Sequence, residues 1–486
     1  MMKWMKRKPM LASAAMMIAL TGCSFGGGND AKDEQQTLRV MFYEEQSFYQ
    51  QYGMLFSALY PNVNIEVVST QSIRSENGQE EYNKLLDAFI EKEQPDIILL
   101  DPERYSRSAA EGKLAELDSL IEKDKYETEG LVPGMLDFLK EMGGGKIYGL
   151  AGDFSSQALY YNKDLFDKYG IEYPKDKMSY TDLIQLAKRF PTDGEGEERV
   201  YGLKFGYSNN LFDMAVQMGS IQNMSYVNPS KMEMTINTAG WKTTVETALD
   251  AINSKALYVE DPQNMMGGGS YEEYLLSNPF LSGKVAMMTE GPYIMQQIKQ
   301  AKNFLKEDQQ SKLVSNWDLV TAPVDPANPE YSSMVKFYNI FAINSKAANK
   351  DAAWSFLKYI TGDEYARVTS KSYGFGNFPA RVKYLDNPDN RNFAAFYTLK
   401  PSTFNMYKDY DKLPENFQME FMGAAQMELD KVKSGGATID EALSQLQTVG
   451  QGMLDKGKSE QAGKKEEPAA DSQAAGTAEG TATGTQ

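Results

Sequence analysis

Pro95-Asp96-Ile97-Ile98-Leu99-Leu100-Asp101-Pro102 is the stretch that decides how this chain folds. Four apolar residues stand in a row between two acids and two prolines. A strand with one wet face would alternate apolar and polar residues, so an unbroken run fits a strand covered on both faces of a parallel sheet. Upstream, Tyr82, Leu85, Leu86 and Phe89 recur at one face of a helix. Before them Val63-Asn64-Ile65-Glu66-Val67 alternates as a strand, Phe56 and Leu59 mark a helix, and Leu38-Arg39-Val40-Met41-Phe42 is a further strand. Strand, helix, strand, helix, strand is the order of a doubly wound α/β lobe.

A second α/β set begins near Ile147. Ala158-Leu159-Tyr160-Tyr161 reads as a strand, and Ser179 with Asp182 forms a capping box ahead of Leu183, Leu186, Ala187 and Phe190. Residues 201–205 and Val285-Ala286-Met287-Met288 are further strands, and Glu290-Gly291-Pro292 turns the latter into a helix. Late in the chain a strand over 338–343 precedes a helix carrying Ala353, Phe356, Leu357 and Ile360. A chain of 486 residues, 42% hydrophobic and 12% aromatic, suits a large core divided over two domains.

The N-terminus sets the expected address. Lys3, Lys6, Arg7 and Lys8 precede an apolar stretch over 9–20, which is too short to span a bilayer and fits a secretory signal. It ends in Leu20-Thr21-Gly22-Cys23, small residues before the chain's only cysteine. A lone cysteine in an exported protein has no internal disulfide partner; diacylation of Cys23 would give it a role and anchor the chain to a membrane. Residues 1–22 are therefore expected to be a signal peptide. Residues 23–36, with Gly26-Gly27-Gly28, are the expected tether, and 455–486, without a large apolar residue, an expected disordered tail.

Charge and composition exclude several functions. The formal net charge is −17, or about −21 once the four positive charges of the signal are removed. Such a body repels phosphate backbones, so nucleic acid is not an expected partner. The chain has no histidine, which removes Ser-His-Asp and Cys-His catalysis and most zinc and transition-metal sites; no metal or cofactor is expected. Carboxylate pairs remain available, so composition leaves glycoside hydrolysis open.

Open α/β sheets bind ligands beyond the carboxyl ends of their strands. That rule selects Tyr43, Glu44 and Glu45 after the first strand and Asp101 after the third. It adds Tyr207, Asn209 and Asn210 after residues 201–205, and Glu290, Gly291 and Tyr293 after Met288. Carboxylates and amides match the hydroxyls of a sugar, and tyrosine rings offer a surface to its apolar face. An acid after a strand is also the ordinary helix cap, so each position carries that competing reading.

Four blocks in order resemble the family 1 extracellular solute-binding proteins, the group that includes maltose-binding protein. The first runs from Tyr148-Gly149-Leu150 through Leu159-Tyr160-Tyr161-Asn162-Lys163-Asp164-Leu165-Phe166 to Tyr169-Gly170-Ile171. The second is Gly283-Lys284-Val285-Ala286-Met287 with Glu290-Gly291-Pro292-Tyr293. The third is Phe341-Ala342-Ile343-Asn344 with Ala352-Ala353-Trp354-Ser355-Phe356-Leu357-Lys358-Tyr359-Ile360-Thr361, and the fourth is Gly376-Asn377-Phe378-Pro379-Ala380-Arg381. The resemblance implies a type II periplasmic-binding-protein fold, two α/β lobes with ligand between them and hinge strands crossing from one to the other. It places residues 37–150 and 342–381 in the first lobe, and 151–341 and 382–454 in the second. Tyr293 falls where the family carries a stacking tryptophan, and Met422, beside Phe421, occupies the region of another. Ser155 falls where maltose-binding protein has a ligand-contacting glutamate, with Asp153 two residues earlier. These departures set the site apart from one built for maltose. Tyr338 and Arg381, within reach of the cleft, complete the candidate set.

The resemblance implies a monomeric binder that captures a small solute, most readily a carbohydrate, by lobe closure and docks on the permease of an ABC importer. The resemblance implies that the ATPase driving the importer is another chain. Three other readings stand beside this one: a binder of peptide or another non-sugar solute, an exported carboxylate-dependent glycoside hydrolase, and a sensory or structural lipoprotein that uses the same fold without transport.

Overall fold

The structure is a computed structural model that describes residues 35–75, 79–194, 199–206, 210–259, 270–371, 376–385, 387 and 389–466. The signal peptide, Cys23 and nearly all of the tether lie outside the described residues, as do Tyr207, Asn209 and residues 467–486. In chain order the strands are β1 (Gln36–Phe42), β2 (Val63–Ser69), β3 (Ile97–Leu100), β4 (Gly149–Ala151), β5 (Asp153–Ser155), β6 (Ala158–Asn162), β7 (Tyr201–Lys204), β8 (Val227–Asn228), β9 (Glu233–Met234), β10 (Val285–Glu290), β11 (Trp317–Thr321), β12 (Tyr331–Ser332), β13 (Ile340–Ile343), β14 (Asn377–Pro379) and β15 (Lys400–Pro401).

The first lobe is built on a sheet of order β2-β1-β3-β13-β4. Its first three strands are parallel, as the apolar run in β3 requires, while β13 runs antiparallel to both β3 and β4. Asp96, buried at the entry to β3, accepts hydrogen bonds from the backbone N–H groups of Arg39, Ala348 and Asn349, which satisfies its carboxylate inside the fold. The strand read over 338–343 begins at Ile340, and Tyr338 lies on the segment leading into it.

The second lobe is built on a sheet of order β11-β6-β10-β7. Here alternation separates two cores. Leu159, Tyr161, Ala286, Met287 and Val320 pack with the helices Tyr180–Ala187, Leu211–Ile221 and Ala239–Asn253 and with the C-terminal helices. Tyr160, Met288, Trp317 and Leu319 face the helix Tyr293–Phe304 and belong to a core continuous with that of the first lobe. Both faces of this sheet are dry, which explains strands apolar along their whole length. The Ser179 capping box forms as its sequence dictates, and Trp241 is buried as packing. The last helix, Ile439–Glu466, continues past Leu454, where the sequence reading ended the folded body.

Between the lobes the chain crosses on short strands. β5 pairs antiparallel with β14, setting Ser155 opposite Asn377 and Phe154 opposite Phe378. On its other side Ser155 exchanges two backbone hydrogen bonds of 2.9 Å with Lys336. Residues directly opposite share a face and neighbours alternate, so this small sheet has two unlike sides. Phe154, Phe337 and Phe378, each fully buried, occupy one side. Their rings continue from Phe138 of the first lobe (5.5 Å from Phe337) to Phe396 (5.0 Å from Phe378) and on to Tyr160 of the second lobe (6.2 Å from Phe396). The expected boundaries at 150 and 341 fall within β4 and β13, beside these crossings.

Phe337→Ala removes the middle ring of this run. The expected loss is roughly 3–5 kcal/mol of stability, the usual cost of a large core truncation, read as a lower denaturation midpoint in guanidinium; a shift corresponding to less than about 1 kcal/mol would show that the rings do not tie the lobes together.

Candidate functional site

The topology brings two sheet edges to one place. β1, β2 and β3 end on the same edge of the first sheet, and antiparallel β13 begins there, with Ile340 opposite Leu100. β4 leaves by the same edge, since Ile340 also pairs with Ala151. In the second sheet β10 ends where β6 begins, with Glu290 opposite Ala158, and parallel β7 ends beside it. The link from β4 to β6 is only β5 and its flanking residues. The carboxyl edges of the two sheets therefore face each other across the hinge, where ligands of open α/β sheets sit.

The hinge forms the floor of this cleft. Opposite the phenylalanine side lie Asp153, Ser155, Lys336, Tyr338 and Asn377. Asp153 is reached by Tyr52, whose hydroxyl donates to Oδ2 at 3.2 Å, while Asn377 Nδ2 donates to Oδ1 at 3.0 Å. Tyr52 stands on the helical segment that opens at Tyr43, Glu44 and Glu45, so the polar side of the floor turns toward the loop after β1. Tyr338 is 55% exposed and Tyr43 56%, unusually open for tyrosines and available as ring surfaces.

From the second lobe come Glu290, Gly291 and Tyr293. The Tyr293 hydroxyl donates to Glu290 Oε2 at 2.7 Å, and the buried Tyr160 hydroxyl donates to the Gly291 carbonyl at 2.8 Å. A Cβ on Gly291 would lie 3.3 Å from the Tyr293 ring and 3.8 Å from the Ser156 carbonyl, which puts this turn against the floor. Met422 is partly exposed on the C-terminal helix Phe417–Lys433, while Phe421 beside it is core.

Several candidates turn out to hold the fold. Asp101 is the N-cap of the helix Pro102–Ala110, accepting from Arg104 N–H at 2.9 Å. Asn210 caps the helix Leu211–Ile221, accepting from Phe212 N–H at 2.8 Å. The Glu44 carboxylate accepts from Ser47 Oγ at 3.0 Å, and Glu45 stays exposed in the first turn. Arg381 is a correction to the sequence reading. Its buried guanidinium donates to the carbonyls of Thr361 (2.7 Å), Glu127 (2.7 Å) and Glu129 (2.9 Å) and pairs with Asp363, so it is occupied inside the first lobe and not offered to a ligand.

The sequence reading missed Glu103, Lys336 and Asn377. Glu103 sits in the first turn after Asp101. Its carboxyl is raised by partial burial first, then by Asp101, and then by Asp411 and Asp409 of the second lobe, which places acids on both rims. Lys336 and Asn377 were legible only through strand pairing, which no local motif encodes. At Asp153 burial pushes the carboxyl up to about 6, against the pull of the Tyr52 and Asn377 hydrogen bonds, while the buried Tyr52 phenol is held well above its usual 10 and remains a donor.

Among the described residues no group of three acids, histidines or cysteines has the geometry to hold a metal, and no helix is long and apolar enough to cross a membrane. Two surface hollows lie away from the cleft. One, of about 320 Å³, is lined by Tyr173, Met178 and Arg189; the other, of about 270 Å³, by Glu91, Ser108 and Lys346.

Residues 31–367 match the family of bacterial extracellular solute-binding proteins. A binding protein of Brucella abortus is 28% identical over 282 residues, 57% of this chain and 61% of the relative, so the chain spans about three fifths of that relative's length. A maltooligosaccharide ABC transporter solute-binding lipoprotein of Streptococcus pneumoniae is 23% identical over 332 residues, 67% of this chain and 68% of the relative. The fold is similar to that of a family 1 extracellular solute-binding protein of Alicyclobacillus acidocaldarius, with a TM-score of 0.59 at 14% identity, over 87% of this chain and 99% of that one. It is also similar to a sugar transporter of Rhizobium etli in an open conformation, with a TM-score of 0.57 at 21% identity, over 85% and 98%.

A carboxyl raised from 3.8 to about 6 means that the folded chain holds a proton more tightly than the unfolded one. The contribution of Asp153 to stability is therefore greatest below the unfolded value and falls as pH rises through that window. Asp153→Asn keeps the acceptor for Tyr52 and removes the titration. Its unfolding midpoint relative to wild type is expected to rise between about pH 4 and pH 6 and to level off above; a difference independent of pH would remove Asp153 as the titrating group.

Proposed function

Because this chain belongs to the bacterial extracellular solute-binding proteins, we propose that it captures a sugar or oligosaccharide between its lobes and delivers it to the permease of an ABC importer. The observation that carries this reading is the hinge floor. There an exposed tyrosine ring, an amide, a hydroxyl and an ammonium lie side by side between two sheet edges. Hydroxyl-rich ligands need such donors and acceptors in one plane, with a ring for their apolar face. The name of the pneumococcal relative supports the same class of ligand, and it supports Cys23 as an acylated anchor on the outer face of the cell membrane.

Closure supplies the signal. A ligand touching Tyr338 on the floor, Tyr43 on one rim and Tyr293 on the other makes its full set of contacts only when the lobes approach. It therefore binds the closed form more tightly and shifts the population toward it. A binding role without catalysis fits the carboxylates: Asp101 caps a helix, Asp153 holds Tyr52 and Asn377, and Glu290 holds Tyr293, so none is poised as a free acid and base pair.

Titration calorimetry with maltooligosaccharides and other oligosaccharides, paired with X-ray scattering, tests the proposal. Heat of binding together with a smaller radius of gyration is expected, and Tyr338→Ala should weaken binding by about tenfold, the scale of a lost stacking contact. Absence of heat with every saccharide, or heat with peptides alone, would overturn the sugar assignment; turnover of any saccharide would overturn the binding-only role.

A further inference from the structure

Lys336 lies in the middle of the hinge floor. Its backbone pairs with Ser155, whose other neighbour is Asn377, so the three side chains stand in one row on the polar side. Tyr338, two residues on, shares that side. Three other cations that flank the cleft are already paired. Arg104 lies 3.5 Å from Asp101, Lys412 lies 3.0 Å from Asp409, and Arg381 is occupied by three carbonyls. Lys336 is exposed, and among the described residues its ammonium makes no hydrogen bond, ion pair or ring contact.

Resting on the sugar-binding reading, we propose that Lys336 is a specificity-determining residue that selects saccharides carrying a carboxylate, as uronic acids do. The argument is one of desolvation. In the open form water satisfies the ammonium. Closure around a ligand strips that water, and a cation left without a charged partner is costly. Sugar hydroxyls offer acceptor oxygens but no charge; a carboxylate offers both, in a charge-assisted hydrogen bond roughly twice as strong as a neutral one. Asp153 does not fill this role, because its oxygens receive Tyr52 and Asn377. The acidic body of the chain is no obstacle, since salt damps its field beyond a Debye length of about 8 Å, while the contact with Lys336 is direct.

The arrangement also predicts the ligand's layout. The carboxylate lies at the hinge, beside Ser155 and Asn377. The neutral, hydroxyl-bearing part extends past Tyr338 toward the rims, where Glu103, Asp409 and Asp411 would repel a second anion. A singly charged acidic oligosaccharide fits better than a polyanion or a sugar phosphate.

The test measures affinity of the full chain for three probes: a neutral maltotriose, the same trisaccharide oxidised to one terminal uronate, and trigalacturonate. Wild type is expected to bind the mono-uronate at least tenfold more tightly than maltotriose, with trigalacturonate weaker than the mono-uronate. Lys336→Met should abolish the preference, so that the mono-uronate binds no more tightly than maltotriose, with the unfolding midpoint unchanged. Lys336→Arg should keep the preference, because its charge remains. Equal affinity of wild type for the charged and neutral trisaccharides, or a preference that survives Lys336→Met, overturns the proposal while leaving sugar capture intact. Failure of all three, and of every other saccharide, instead brings down the sugar reading on which it rests.

Discussion

The run of rings from Phe138 through Phe337, Phe154, Phe378 and Phe396 to Tyr160 is the contact on which the rest of the structure depends. It makes the two lobes share one apolar core at the hinge while leaving the opposite side of the same strands polar. Close packing resists sliding and compression, so this core fixes the register of the two lobes against each other. The proposed binding cleft is the wet side of that arrangement. Its floor is fixed in geometry by the dry side beneath it, and its rims are carried by separate sheets.

The helix caps show how a fold and a site compete for the same residues. Asp101 and Asn210 stand where a ligand would be expected and use their oxygens on backbone N–H groups. Asp153 is more deeply committed, to a phenol and an amide, and its burial, against the pull of those two hydrogen bonds, raises its carboxyl to about 6. What remains open to a guest is a smaller set: the exposed rings of Tyr43 and Tyr338, the hydroxyl of Ser155, and Lys336.

Much of the fold was readable in the chain because its strands are buried on both faces and its helices carry their own caps. The β3 run and the Ser179 capping box needed no tertiary knowledge. The site was less readable, and the misses have one cause. Arg381 was a candidate because its block lies within reach of the cleft; its three carbonyl partners come from Glu127 and Glu129, more than two hundred positions earlier, and from Thr361. Lys336 looked like nothing at all, since its meaning comes from pairing with Ser155, far upstream. Periodicity reports how an element is covered, and it is silent on which distant strand lies beside it.

One face of the second sheet belongs to the core of the first lobe, and this has a consequence for how such proteins diversify. A gene fusion that exchanged one lobe for that of a relative would have to carry compatible rings across the junction, or the composite would meet with a void or a clash at its pivot. New ligand preferences are therefore more easily acquired by altering side chains on the polar side of the crossing strands than by shuffling whole halves, which makes the hinge a conservative element mechanically and a variable one chemically.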